Sequence, residues 1–270
     1  MSGTEKHGST AAPQGEVGEL TDAEIAAFQE AGVTDEWGEG PPRKAKAFWP
    51  SALRLAGTFR EHKLGLAVVL AFGIVSTVLT VLIGVPLGVL LTITAPGALS
   101  PRPVVHRVLG LVVNLGRSLP FIILLIVMIP FTVLITGTSL GVAGAIPPLV
   151  VGAAPFFARL VETALREVDR GIIEATQAMG ATTRQIIFSA LLPEARPGII
   201  AAITVTAITL VSYTAMAGVV GAGGLGDLAI RFGYQRFQTD VMVVTVVLLL
   251  VLVQLLQSLG DRLVTHFSRK

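Results

Sequence analysis

No cysteine occurs among the 270 residues, which excludes disulfides, thiol catalysis and cysteine-ligated metal. Charge is scarce as well. Asp, Glu, Lys and Arg make up 14% of the chain, against about a quarter in ordinary soluble domains. Hydrophobic residues reach 52% and mean hydropathy is +0.75, so the chain is predicted to be an integral membrane protein. Acid is missing from the apolar runs 64–93, 108–158, 197–226 and 241–260. An ion-coupled carrier normally hides carboxylates there, so proton coupling is disfavoured, while sodium sites built from carbonyls and hydroxyls stay open. No G-x-x-x-x-G-K-[ST] is present, so ATP cannot be bound in the P-loop manner and energy must come from a partner or an ion gradient. The four histidines lack metal spacing, and no acid–base constellation for hydrolysis or redox chemistry stands out. No cofactor, metal, catalytic residue or nucleic-acid partner is expected.

The apolar runs imply an all-α polytopic bundle. Leu64 to Ile93 is thirty residues without charge, where about 20 cross a hydrocarbon core; Pro86 is expected to kink it. Val108 to Ala158 holds one charge, Arg117, and is long enough for two crossings split near Gly137 to Gly144. Pro197 to Gly226 and Val241 to Gly260 complete five spans. Residues 1–62 form a separate tail. Positions 1–42 carry nine acids and one lysine, with disorder expected over 1–20 and a short helix from Thr21. Neither a basic start nor an apolar core marks the first 40 residues as a signal peptide. Positions 43–62 mix Arg43, Lys44 and Lys46 with Phe48 and Trp49, which suits either a segment lying on anionic lipid or a basic flank of the first span.

The polar interval of the second half is Glu174 to Pro193, EATQAMGATTRQIIFSALLP. Arg159, Arg166 and Arg170 precede it, Arg184 lies within it and Arg196 follows, placing the 159–196 loop in the cytoplasm by the positive-inside rule. Ile172 to Met179 reads as a helix, Gly180 as a left-handed C-cap, and Thr182 with Gln185 as a capping box opening a second helix. Pro193 stops that helix or starts the next. With five spans the C-terminus is also cytoplasmic and the N-terminus outside. The basic cluster at 43–63 opposes this orientation, and three later loops outvote it.

This interval resembles the EAA loop of ABC-transporter permeases, matched at Glu174, Ala175, Gly180, Leu192 and Pro193. Thr176 stands where a second alanine is usual, and Ala190 where a branched aliphatic is preferred. From about Gly65 to Lys270 the chain, including GVPLGVLL, RSLPFIILL, VGAAPFFARLVE, GAGGLG and GDR, is similar to the permease of D,L-methionine importers. The resemblance implies a type I ABC importer permease that acts as a homodimer. It implies a separate ATPase dimer holding ATP and magnesium, a lipid-anchored external binding protein, and alternating access. Coupling residues are then Glu174, Ala175, Ala178, Gly180, Ala181, Thr182, Arg184, Leu192 and Pro193. A different small substrate (another amino acid, or a phosphonate) and an ATPase-independent carrier remain as alternatives.

Candidates for the translocation path are Arg117, Ser212, Tyr213 and Met216. Arg117 either faces a water-filled route or snorkels from a span end at Ser118-Leu119-Pro120. The hydroxyls of Thr204, Thr206, Thr209, Ser212 and Thr214 either glue helices together or line a conduit, with Met216 as a flexible plug. GAGGLG at 221–226 matches G-x-G-x-x-G without a βαβ context or a suitably placed acid, so it is expected to be a glycine-rich exit to an outer loop.

Overall fold

Lipid offers no hydrogen bonds to the backbone, so an apolar run must satisfy its amides internally, and helix is the local solution. The computed structural model describes residues 63–218 and 221–268. The tail, with the helix expected from Thr21 and the basic segment 43–62, lies outside the described residues. Among the described residues every regular element is helical. Four helices are long and apolar enough to cross a membrane: α1 (Lys63–Thr94), α5 (Gly141–Arg166), α9 (Arg196–Ala217) and α11 (Thr239–Ser268). The pair α2 (Pro103–Ser118) and α3 (Phe121–Val127) is together apolar enough for a fifth crossing, but it bends by 103° at the break, the shape of a broken span or a re-entrant loop. α4 (Ile129–Thr136) follows, and Gly137 and Gly141 at φ +76 and +70 turn the chain into α5, within the interval where the two crossings were expected to separate.

α5 is the central helix. Its small residues let neighbours approach, and the closest partner is α1. A Cβ at Gly84 would lie 2.4 Å from Phe157 Cδ1, and one at Gly88 2.7 Å from the Ala158 carbonyl oxygen. Gly84 and Gly88 are spaced as small-xxx-small, so backbone-to-backbone packing replaces the hydrophobic drive that lipid removes. The helix continues through Pro86 between them. Two buried clusters flank α5. One joins Phe72, Phe121, Leu149 and Leu210 toward its N-terminal end; the other joins Phe157, Val161, Leu165, Leu191 and Ala202 toward its C-terminal end.

One apolar stretch is more broken than composition predicts, and another runs longer. α9 ends at Ala217, short of Gly226. Gly221, Gly223 and Gly224 take φ +80, +80 and +85 and turn the chain back on itself. α10 (Gly224–Leu228) then packs so tightly on α9 that a Cβ at Gly226 would sit 2.3 Å from Ala215 Cα. A π-helical segment, Ala229–Tyr234, leads to α11. GAGGLG is therefore a fold-back rather than a simple exit, because only glycine permits both the left-handed turns and the contact. α11 outruns its expected end at Gly260, where that glycine meets the Thr204 side chain of α9.

The hydroxyls of α9 do not join helices. Thr204, Thr206 and Thr209 donate to Ile200, Ala202 and Val205 carbonyls at 3.0, 2.8 and 2.8 Å, one turn back in the same helix, and Thr214 to Val211 at 2.7 Å. The expected hydroxyl glue is overturned for these threonines, since the preceding carbonyl is the nearest acceptor a helical Thr has.

Candidate functional site

Beyond α5 the chain forms a hydrogen-bonded corner. α6 (Arg170–Ala178) is capped by Asp169, whose carboxylate accepts from the Gly171 amide at 2.8 Å. At its other end Gly180 takes φ +80. The Gly180 amide donates to Gln177 O at 2.9 Å and the Ala181 amide to Thr176 O at 3.3 Å, the paired bonds of a Schellman cap. Thr182 then opens α7 (Thr183–Ile186). The Gln185 amide donates to Thr182 Oγ1, and Gln185 Oε1 accepts from the Thr182 amide at 2.8 Å. Both caps agree with the reading from sequence. Within a dozen residues one helix closes and the next opens, each through hydrogen bonds made locally.

The corner is tied rigidly to the spans. A π-helical segment, Ile187–Leu191, precedes Pro193 at the start of α8 (Leu192–Glu194), and a single turn at Ala195 leads into α9. Val168, Leu191 and Ala195 are buried in the same cluster as Phe157 and Leu165 of α5, with Ile173 and Leu192 packed against it. Leu192 and Pro193 are half-buried. Outward, Glu174, Ala175, Ala178, Gly180, Thr182 and Arg184 are exposed and Ala181 is half-exposed. Met179 and Phe188 also project, 79% and 63% exposed. Sequence reasoning passed over these two, although an apolar residue among polar neighbours at a corner is a signal. Between α6 and the loop at 95–99 lies a cleft of about 560 Å³ lined by Pro96, Arg166, Arg170, Glu174 and Gln177.

A second feature was missed altogether. Glu162 is buried on α5, its Oε2 2.5 Å from Arg159 Nη1 and its Oε1 2.6 Å from Arg166 Nη2. The Arg166 approach is ionic, without hydrogen-bond alignment. Arg159 also donates from Nη2 to Asn114 Oδ1 on α2 at 2.8 Å. The acid-free run ended at Ala158, yet the helix continues to Arg166 and takes a carboxylate with it. The spacing of Arg159, Glu162 and Arg166, three and four apart on one face, is the signal that could have found it.

The structure separates the path candidates. Tyr213 stacks on Phe121, ring centroids 4.4 Å apart and planes 4° apart, and so belongs to the packing. Ser212 and Met216 lie on an exposed face of α9. Arg117 is exposed in the last turn of α2, directly before the break at Leu119 and Pro120. Its neighbour Gly116 lies against Pro155, in the middle of α5. Arg117 thus stands at an exposed helix end that is level with the middle of α5.

Comparison with known proteins gives this arrangement a family. The family model "Binding-protein-dependent transport system inner membrane component" matches residues 84–270. The chain belongs to this family. It is a multi-pass permease, the transport subunit of an ABC system in which a separate subunit hydrolyses ATP. It is 56% identical over 188 residues to the probable D-methionine transport system permease protein MetI of Vibrio cholerae, covering 70% of this chain and 84% of that one. It is 50% identical over 181 residues to the methionine import system permease protein MetP of Bacillus subtilis, covering 67% and 81%. The solved inward-facing MetNI methionine ABC transporter aligns with TM-score 0.73 and 51% identity, covering 75% of this permease and 94% of that chain. An amino acid ABC transporter solved with histidines shares the fold at TM-score 0.64 and 17% identity. Among the described residues of the permease no cluster of His, Asp and Glu could hold a metal.

Proposed function

We propose that this permease imports D- and L-methionine in an ATP-driven complex. Two copies form the path, an ATPase dimer seats on the Glu174–Pro193 corner, and a lipid-anchored binding protein delivers substrate outside. The 159–196 loop and the C-terminus are cytoplasmic. The observation that carries the reading is the corner itself: a doubly capped turn, exposed at Glu174, Met179 and Arg184 and fixed through Leu191 and Ala195 to α5 and α9. ATP-driven closure of a partner gripping such a turn moves whole helices, because no flexible linker intervenes. The permeases named for methionine import, and the methionine transporter with the same fold, support the substrate. Arg117, Ser212 and Met216, exposed on each copy, are the candidates to border the shared path, with Tyr213 behind them on Phe121.

Uptake of labelled methionine by cells lacking only this gene tests the substrate; unaltered uptake removes it. Copurification of an ATP-hydrolysing subunit, abolished by Gly180→Pro or Glu174→Arg, tests the mechanism. An ATPase-independent carrier would show no such subunit.

A further inference from the structure

Around its axis α2 presents three faces. Val113 is buried and Gly116 lies against Pro155, so one face packs on the bundle. Val108, Leu111, Val112 and Leu115 are exposed and adjoin one another on a second, apolar face. Arg107, Gly110, Asn114 and Arg117 recur at helical spacing and make a third, polar face. No acid stands on α2 at all. A helix with separate apolar and polar exposed faces meets two solvents. Hydrocarbon suits the apolar one, and a guanidinium level with the middle of α5 is costly there, so the polar face belongs to water.

The polar face consists of hydrogen-bond donors. Asn114 Oδ1 is taken by Arg159 Nη2 at 2.8 Å, which fixes the amide and leaves its two N–H groups free one turn from Arg117. Among the described residues no carboxylate lies within ion-pair reach of Arg117; the pairs formed are Arg159 and Arg166 with Glu162, and Arg231 with Asp227. A fork of guanidinium donors beside an oriented amide, without an acid to neutralise it, matches a planar anion.

We infer that Arg117, flanked by Asn114, receives the α-carboxylate of the amino-acid cargo as it passes along the polar face of α2. This rests on the methionine reading above, since the carboxylate is the one anionic group of that cargo. The ammonium keeps its water, because Glu162 is buried between Arg159 and Arg166. One exposed cation grips weakly enough to let go, as a transit site must. The carboxylate is common to both enantiomers, so the site does not distinguish D from L.

The absence of cysteine makes Arg117→Cys a single addressable thiol in this chain. The variant is assembled with cysteine-free partner subunits and treated in membrane vesicles with aminoethyl or sulfonatoethyl methanethiosulfonate. It is then purified and reconstituted for ATP-driven uptake of labelled methionine. Unmodified Arg117→Cys should lower uptake of both enantiomers by about tenfold or more, the scale of a charge-assisted hydrogen bond. The aminoethyl reagent, which returns a cation, should restore most of it. The sulfonate reagent, of similar size and opposite charge, should not, whereas a merely structural role would treat the two alike. Should the thiol variant fail to assemble, Arg117→Lys should keep more uptake than Arg117→Gln. A thiol that neither reagent reaches in the vesicles overturns the site, as does uptake unmoved by loss of the cation or restored equally by both reagents. In those cases wild-type import leaves the methionine reading standing. An anionic phospholipid that copurifies with the wild-type complex and is lost in Arg117→Gln, with uptake intact, assigns Arg117 to a lipid headgroup and also overturns it. Absence of methionine import by the wild-type complex removes both readings.

Discussion

Arg159 on α5 reaches Asn114 on α2 with a 2.8 Å hydrogen bond, and the same guanidinium holds the buried Glu162 carboxylate. One side chain therefore ties α2 to the central helix and compensates the acid within that helix.

Replacing Arg159 with Met should lower stability by about 1–3 kcal/mol, since Glu162 then keeps only the half-exposed Arg166. Adding Glu162→Met should restore part of the loss, because no stranded buried charge remains. Thermal unfolding in detergent measures both. A double variant as unstable as the sum of its singles would contradict the account.

At Gly180 the difficulty for other residues is conformational. Nothing lies within 4 Å of a Cβ built there, but φ is +80. Gly180→Val should cost about 1–2 kcal/mol and weaken ATPase copurification. Gly180→Asn should be tolerated better, because Asn visits the left-handed region more readily. Equal behaviour of the two variants would mean that the corner does not need its left-handed residue.

At the α1–α5 seam the difficulty is steric. Gly88→Ala sets a methyl against Val161 Cγ1 at 2.6 Å and against the Ala158 carbonyl, which should cost about 1–3 kcal/mol. Gly110→Ala on α2 meets nothing within 4 Å and should be neutral or slightly stabilising. Comparative melting of the two variants decides the point.

Met179 and Phe188 should matter only in the complex. Met179→Asp and Phe188→Asp should each weaken ATPase binding by at least about tenfold. The isolated permease should stay within about 0.5 kcal/mol of its normal stability, as expected for exposed sites. Titration of the ATPase subunit against the purified permease in detergent reads the first effect, and unfolding reads the second.

The features readable from sequence were those closed by short-range chemistry. Gly180, Thr182 and Gln185 bond within a few residues of themselves, so spacing alone specified the corner. The apolar runs declared the spanning helices because lipid leaves the backbone no other partner. Long-range contact decided the rest. Glu162 is buried by α5 and its arginines, Tyr213 is held by Phe121 from ninety-two positions away, and GAGGLG folds back because Gly226 fits against Ala215. Ser76 and Thr77 are adjacent hydroxyls in one apolar run; Thr77 donates to Gly73 O and the buried Ser76 Oγ has no partner, and sequence cannot tell which is which. That depends on what the other helices place in front of each, and periodicity carries no record of it.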